Sequence, residues 1–179
     1  MKRVFTTKRL CRAGIIAALY VALTYAFAPF AFGLLQIRPA EALCILPLFF
    51  PEAVSALYIG CMLSNLTSPY FVYDVFVGSL ATLFAAFGTY TVGRFFKKDS
   101  LKLLWGGIFP VLFNALIIPL IIVFLCNNLG GYTNLSMAYF TFAFSIFISE
   151  AVWVYALGSP LYFGIKKLRS NGAFFFTNK

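Results

Sequence analysis

The 179-residue sequence contains no histidine and only five acidic residues. Without histidine, neither a Ser-His nor a Cys-His pair can form, which excludes the commonest nucleophilic hydrolases. The four cysteines form no C-x-x-C pair, so zinc and haem ligand sets at recognisable spacing are missing too. The sequence also lacks a G-x-x-x-x-G-K-[ST] nucleotide-binding motif. We therefore expect that this protein is not an enzyme and binds no cofactor. A process driven by ATP would need a partner ATPase.

Charged residues are scarce throughout the chain. They make up 11% of the sequence, while 62% is hydrophobic, whereas an ordinary soluble domain has about 25% charged and about 45–50% apolar residues. A soluble fold of this size would expose apolar patches larger than the few hundred Å² that are usual. The composition therefore predicts one membrane domain.

Of the 14 basic residues, 13 form three clusters that flank long uncharged stretches, and Arg38 is the exception. The positive-inside rule places such clusters in the cytoplasm, next to anionic lipid headgroups. Because the sequence between them is apolar, a nucleic-acid-binding domain is disfavoured. The clusters are Lys2, Arg3, Lys8, Arg9 and Arg12; Arg94, Lys97, Lys98 and Lys102; and Lys166, Lys167, Arg169 and Lys179.

If all three clusters are cytoplasmic, an even number of crossings separates each pair. We predict an all-α, polytopic membrane protein with six transmembrane helices and both termini in the cytoplasm. Four helices are the alternative, because the second span is short. The predicted spans are residues 13–33, 42–50, 53–66, 74–93, 104–126 and 137–165.

The chain then divides into a basic N-terminal segment (1–12), one membrane domain (13–165) and a basic tail (166–179). A signal peptide is the alternative for the first helix, since Ala26-Phe27-Ala28 has an A-x-A pattern. Pro29 directly after this pattern should hinder cleavage, which favours the helix.

Polar residues inside the predicted spans are candidates for a binding site, because they are costly in a bilayer. Glu150 is the strongest, since an unpaired carboxylate at mid-depth must be protonated, paired or hydrated. The others are Gln36, Arg38, Glu41, Glu52, Asn65, Asp74 and Asn114.

Several of these residues also have a structural interpretation. Arg38 and Glu41 could form an exposed ion pair at the membrane interface. The asparagines could hydrogen-bond to neighbouring helices, and Asp74 could cap the N-terminus of its helix. Small residues four apart on the first helix also let helices approach closely, either within the protein or against a partner. They are Ala13 and Ala17, and Ala18 and Ala22.

Four ordered blocks carry a family resemblance: residues 36–43 (QIRPAEAL), 46–53 (LPLFFPEA), 59–66 (IGCMLSNL) and 76–83 (FVGSLATL). Over roughly residues 10–165 the chain resembles the QueT family. These proteins are the substrate-binding S components of energy-coupling factor (ECF) transporters, assigned to the uptake of queuosine precursors. Pro39 departs from the pattern, since the family more often has a small or β-branched residue there.

The resemblance implies six helices in a bacterial plasma membrane and a complex with an ECF coupling membrane subunit and two ATPase subunits. In S components an Ala-x-x-x-Ala face of the first helix docks on the coupling subunit. This implies docking through Ala18 and Ala22, with Ala13 and Ala17 as the other candidates. The implied substrate is a deazaguanine base.

A deazaguanine base has adjacent N–H donors that suit a carboxylate and a carbonyl oxygen that Arg, Asn or Gln can bind. If the precursor carries an aminomethyl cation, a second carboxylate would pair with it. The expected substrate-binding residues are therefore Glu41 and Glu150 as carboxylates, with Gln36, Arg38, Asn65, Asp74 and Asn114 as hydrogen-bonding groups.

Other functions are compatible with the same sequence. Fold does not fix the substrate, so an S component for another vitamin or an amino acid is one alternative. A stand-alone secondary transporter, in which Asp74 or Glu150 carries a proton, is another. An intramembrane enzyme is disfavoured by the missing histidine and metal ligands, and a purely structural protein by the acids within the spans.

Overall fold

The computed structural model describes residues 6–31 and 36–172, which form seven helices and no strand. A single 3-10 turn, Asn65–Thr67, continues the fourth helix. Lys2, Arg3 and Lys179 of the basic clusters, and the end of the first predicted span, lie outside the described residues. The helices are α1 (Thr7–Ala26), α2 (Ala28–Ala31), α3 (Pro39–Leu48), α4 (Glu52–Ser64), α5 (Phe71–Phe95), α6 (Asp99–Leu125) and α7 (Leu135–Ser170).

Four of these helices are long and apolar enough to cross a bilayer. They are α1, α5, α6 and α7, with 20, 25, 27 and 36 residues, against the roughly 20 residues that a span requires. The prediction of an all-helical, multi-pass membrane protein is confirmed. The count of six transmembrane helices is not, because α3 and α4 have 10 and 13 residues and are too short to cross alone.

The short helix α3 lies at the centre of the bundle. It is a 3-10 helix that begins at Pro39, where the fixed φ of proline and its missing N–H fit the first helical turn. All residues from Pro39 to Pro47 are buried. Helix α3 packs against α1, α4, α5, α6 and α7, which explains why it is apolar on nearly every side.

The described residues of the three basic clusters lie at one end of the bundle, which we call the basic end. Asp99 at the start of α6 forms an ion pair with Lys166 near the end of α7. Arg12 in α1 forms a 2.7 Å ion pair with Glu52 at the start of α4. Its guanidinium carbon lies 4.1 Å from the centre of the Phe50 ring. Arg12 also interacts electrostatically with Arg169 in α7. These contacts place the start of α1 and the end of α7 together.

Two glycines let helices approach to backbone contact. A Cβ atom at Gly60 in α4 would lie 3.1 Å from the carbonyl oxygen of Ala17 in α1. At Gly93 in α5, a Cβ would lie 2.9 Å from the carbonyl oxygen of Leu48, the last residue of α3. The second contact fixes the end of the central helix, because a backbone atom cannot rotate away as a flexible side chain can.

We expect Gly93→Ala to destabilise the protein, because the added methyl group must displace the end of α3. Overpacking of this kind costs about 1–3 kcal/mol, more than the up to about 1 kcal/mol that alanine gains over glycine in a helix. Thermal unfolding of the detergent-solubilised protein measures the effect. Gly164→Ala in α7 is the matched control, since its Cβ would meet no atom within 4 Å. Equal unfolding temperatures for the two variants would contradict the prediction.

Candidate substrate-binding site

All seven residues predicted to bind the substrate are buried, with relative exposures of 1–6%. They come from the segment before α3 and from α3, α5, α6 and α7, together with the 3-10 turn that follows α4. Burying this many polar side chains in an apolar bundle is unfavourable unless they hydrogen-bond to one another. We call them the polar cluster: Gln36, Arg38, Glu41, Asn65, Asp74, Asn114 and Glu150.

Arg38 is the electrostatic centre of the polar cluster. Its Nη2 atom donates a 3.0 Å hydrogen bond to Oδ1 of Asn65. Its guanidinium interacts electrostatically with Glu41 and Asp74 and also with Glu150. The alternative of an exposed Arg38–Glu41 ion pair is therefore wrong, because both side chains are buried and share a larger network.

Both carboxylate oxygens of Glu41 accept hydrogen bonds from the protein. The Tyr20 hydroxyl in α1 donates to Oε1 at 2.5 Å, and the Cys44 thiol donates to Oε2 at 3.1 Å. Neither donor is among the residues predicted from the sequence. Cys44 could have been found from its spacing, because residues i and i+3 lie on the same side of a 3-10 helix. Tyr20, one of many aromatic residues in an apolar helix, carries no such signal.

Asn65 and Asp74 join the end of α4 to the start of α5. Nδ2 of Asn65 donates to the backbone carbonyl of Asp74 at 2.8 Å, and the Ser68 hydroxyl donates to Oδ2 of Asp74. The expectation that Asp74 caps a helix is wrong, since α5 begins three residues earlier, at Phe71. Asp74 instead begins a π-helical turn, Asp74–Gly78, a feature frequent at functional sites.

Asn114 and Glu150 link α6 to α7 in the interior of the bundle. Nδ2 of Asn114 donates to Oε1 of Glu150 at 2.9 Å. The prediction that the two asparagines hydrogen-bond to neighbouring helices is confirmed here and at Asn65. The hydrogen-bond partner of Asn114 is Glu150, a candidate ligand-binding carboxylate. The contact between α6 and α7 therefore also orients the Glu150 side chain.

Three buried oxygen atoms of the polar cluster have no hydrogen-bond partner among the described residues. They are Oε1 of Gln36, Oδ1 of Asp74 and Oε2 of Glu150. Gln36 also has a positive φ of 40°, which is uncommon for a residue with a side chain, and its carbonyl accepts a 3.1 Å hydrogen bond from Ser149 in α7. The arrangement can accept hydrogen bonds from a ligand rich in N–H donors.

The small residues of α1 divide between two faces. Ala13 and Ala17 are half-buried and pack on the core of the protein, whereas Ala18 and Ala22 are exposed. Two surface grooves flank α1 near the basic end. One of about 640 Å³ lies between α1 and α4, and one of about 380 Å³ lies between α1 and α7. Neither groove contains a residue of the polar cluster.

A multi-pass helical bundle that buries polar and ionisable side chains in its interior is typical of membrane proteins that move solutes. The chain matches the model of the QueT transporter family over residues 10–167 and belongs to this family. The resemblance found in the four sequence blocks is thereby confirmed.

A curated relative gives a more detailed comparison. Over 96 residues the chain is 40% identical to the queuosine precursor transporter QueT of Lactococcus lactis subsp. cremoris (strain MG1363). These residues are 52% of this chain and 54% of the relative, so the chain spans about half the length of the relative. No solved structure matches the chain significantly.

We expect Tyr20→Phe to lower stability by about 1.5–3 kcal/mol, because it removes a buried hydrogen bond to the Glu41 carboxylate. Tyr25→Phe on the same helix is the control. Its hydroxyl is exposed and donates at 3.2 Å to a backbone carbonyl, that of Leu63, so the loss should stay below about 1 kcal/mol. Denaturant unfolding of the purified protein measures both. A loss for Tyr20→Phe no larger than for Tyr25→Phe would show that the contact contributes little.

Proposed function

We propose that this chain is the membrane-embedded substrate-capture subunit, or S component, of an ECF-type importer. It binds a queuosine precursor, a deazaguanine base, from outside and releases it into the cytoplasm when partner ATPases drive the change. The proposal rests on membership of the QueT transporter family together with one observation: a buried polar cluster with unpartnered oxygens on Gln36, Asp74 and Glu150. No covalent chemistry takes place in the chain.

The distribution of charge supports one orientation of the protein in the membrane. By the positive-inside rule, the basic end faces the cytoplasm of a bacterial plasma membrane, with both termini on that side. Asn65 and Asp74 lie where α4 ends and α5 begins, and both of these helices have their other ends at the basic end. The polar cluster then lies in the outer half of the bundle, where a base arriving from outside could reach it.

The chemistry of the cluster suits a deazaguanine base. The unpartnered oxygens of Asp74, Glu150 and Gln36 accept from the N–H groups on the base, and the Arg38 guanidinium is the donor for a carbonyl oxygen. Asn65 and Asn114 orient Arg38 and Glu150. Glu41, whose two oxygens are already held, contributes its charge and the position of α3.

We expect Glu150→Gln to weaken binding of a deazaguanine base by about 1.5–3 kcal/mol, as lost hydrogen bonds to a buried charge do. Ligand-dependent thermal stabilisation of the purified protein, titrated with guanine, deazaguanine precursors and queuine, measures this affinity. Asp99→Asn is the matched control, because it also converts a carboxylate to an amide but lies at the basic end. Unchanged affinity in Glu150→Gln would remove Glu150 from the site.

Binding of a vitamin such as riboflavin, biotin or thiamine, with none of the bases bound, would favour an S component for another substrate.

The exposed face of α1 supports docking of a coupling membrane subunit that carries two ATPase subunits. We expect Ala18→Leu or Ala22→Leu to reduce co-purification with that subunit and uptake of the base, because small residues let two helices approach closely. Base binding by the isolated chain should not change. Ala156→Leu, at an exposed alanine of α7, is the control.

Uptake into liposomes by this chain alone, driven by a pH gradient, would instead support the proton-coupled alternative.

A further inference from the structure

The larger groove beside α1 has dimensions that the capture of a base does not explain. It has a volume of about 640 Å³, within the roughly 300–1,000 Å³ that is usual for ligand sites. Its lining runs from Arg9 to Ala17 on α1 and from Pro51 to Ile59 on α4. Directly after Ile59, Gly60 brings α4 to backbone contact with Ala17. The groove therefore runs along both helices from the basic end and ends where the two backbones meet.

The length of the groove matches one leaflet of a bilayer. From Arg9 to Ala17 the axis of α1 rises by about 12 Å, at 1.5 Å per residue. One leaflet contributes about half of the roughly 30 Å hydrocarbon core. Between these ends the α1 wall consists of apolar or small residues, and a Cβ at Gly14 would meet no atom within 4 Å. Walls of this kind suit an acyl chain, which has no polar atoms to satisfy.

The basic end of the groove carries positive charge. Arg9 lines the groove there, together with Glu52. The Glu52 carboxylate forms a 2.7 Å ion pair with Arg12, and Arg12 also interacts electrostatically with Arg9 and Arg169. Three guanidinium groups and one carboxylate therefore share this corner of the bundle. Its net charge favours an anion at the depth where lipid headgroups lie.

We infer that this groove binds one anionic phospholipid, with an acyl chain between α1 and α4 and the phosphate hydrogen-bonded to the Arg9 guanidinium. A guanidinium has five N–H donors, so it can hold a phosphate and a contact within the protein at the same time. Its planar fork also matches two oxygens of one phosphate. The inference does not depend on which substrate the polar cluster binds.

A lipid in this groove also distinguishes the two pairs of small residues on α1. Ala13 and Ala17 line the groove, so the bound acyl chain covers them. Ala18 and Ala22 are exposed and line neither this groove nor the one between α1 and α7. The second pair therefore stays accessible to a protein partner while the lipid is bound.

Binding of two matched lipids to the purified, detergent-solubilised protein tests the headgroup contact. Native mass spectrometry measures the affinities of phosphatidylglycerol and phosphatidylcholine with identical acyl chains, which differ in net charge. We expect phosphatidylglycerol to bind about fivefold more tightly, as one arginine near the membrane surface provides. In Arg9→Gln this ratio should fall to about twofold or less. Lys167→Gln removes the same charge at an exposed position outside both grooves and should keep the ratio.

Larger side chains on the two walls test the position of the acyl chain. Gly14→Leu on α1 and Ser55→Leu on α4 each place a bulky group in the groove. Both variants should lose binding of the two lipids to the same extent, so the ratio between the lipids stays unchanged. Gly164→Leu is the matched control. A Cβ at Gly164 would also meet no atom within 4 Å, but this residue lines the groove between α1 and α7.

Each part of the inference has a result that would overturn it. Equal affinity of the wild-type protein for the two lipids would rule out an anion site, and an unchanged ratio in Arg9→Gln would rule out Arg9. Equal losses in Gly14→Leu and Gly164→Leu would contradict a site between α1 and α4. A dimer that Gly14→Leu abolishes, with no lipid bound, would show that a second copy of the chain occupies the groove instead. Ser55→Leu decides on the groove if Gly14→Leu does not fold.

Discussion

The burial of the Arg38 guanidinium is the constraint on which the interior of this protein depends. A cation in an apolar bundle must be surrounded by partners, since an uncompensated buried charge is strongly destabilising. The partners arrive from separate elements: Glu41 from α3, Asn65 from the end of α4 and Asp74 from the first turns of α5. Helix α3, which supplies Glu41, is buried on nearly every side although it is too short to cross a bilayer.

Helix α1 connects the two ends of the molecule. Near the basic end, Arg12 pairs with Glu52, and further along the helix Tyr20 donates its hydroxyl to Glu41. Ala18 is exposed and lies about 200° around the helix axis from Tyr20, at about 100° per residue. In the proposed function, a partner docked on Ala18 therefore contacts the face of α1 that is opposite Tyr20, the residue that hydrogen-bonds to Glu41.

Much of the candidate site could be predicted because polar residues are rare in this chain. With five acids in 179 residues, nearly every polar residue in an apolar stretch requires an explanation, and the seven predicted residues are all buried together. The partners that hold them were harder to predict. Tyr20 and Cys44 were missed because a tyrosine or a cysteine in an apolar helix is usually an ordinary packing residue.

Composition and charge pattern alone determined that the chain is an all-helical membrane protein with its basic clusters at one end. The hydrocarbon core of a bilayer admits few charged residues, so most of them must lie in the segments that flank the spans. The family was also evident from four short blocks. Only the tertiary structure decided which oxygens of Gln36, Asp74 and Glu150 lack partners and which face of α1 is exposed. These properties depend on contacts between residues far apart in the chain, such as Asn114 and Glu150. Helix packing creates such contacts, and periodicity along a single helix does not encode them.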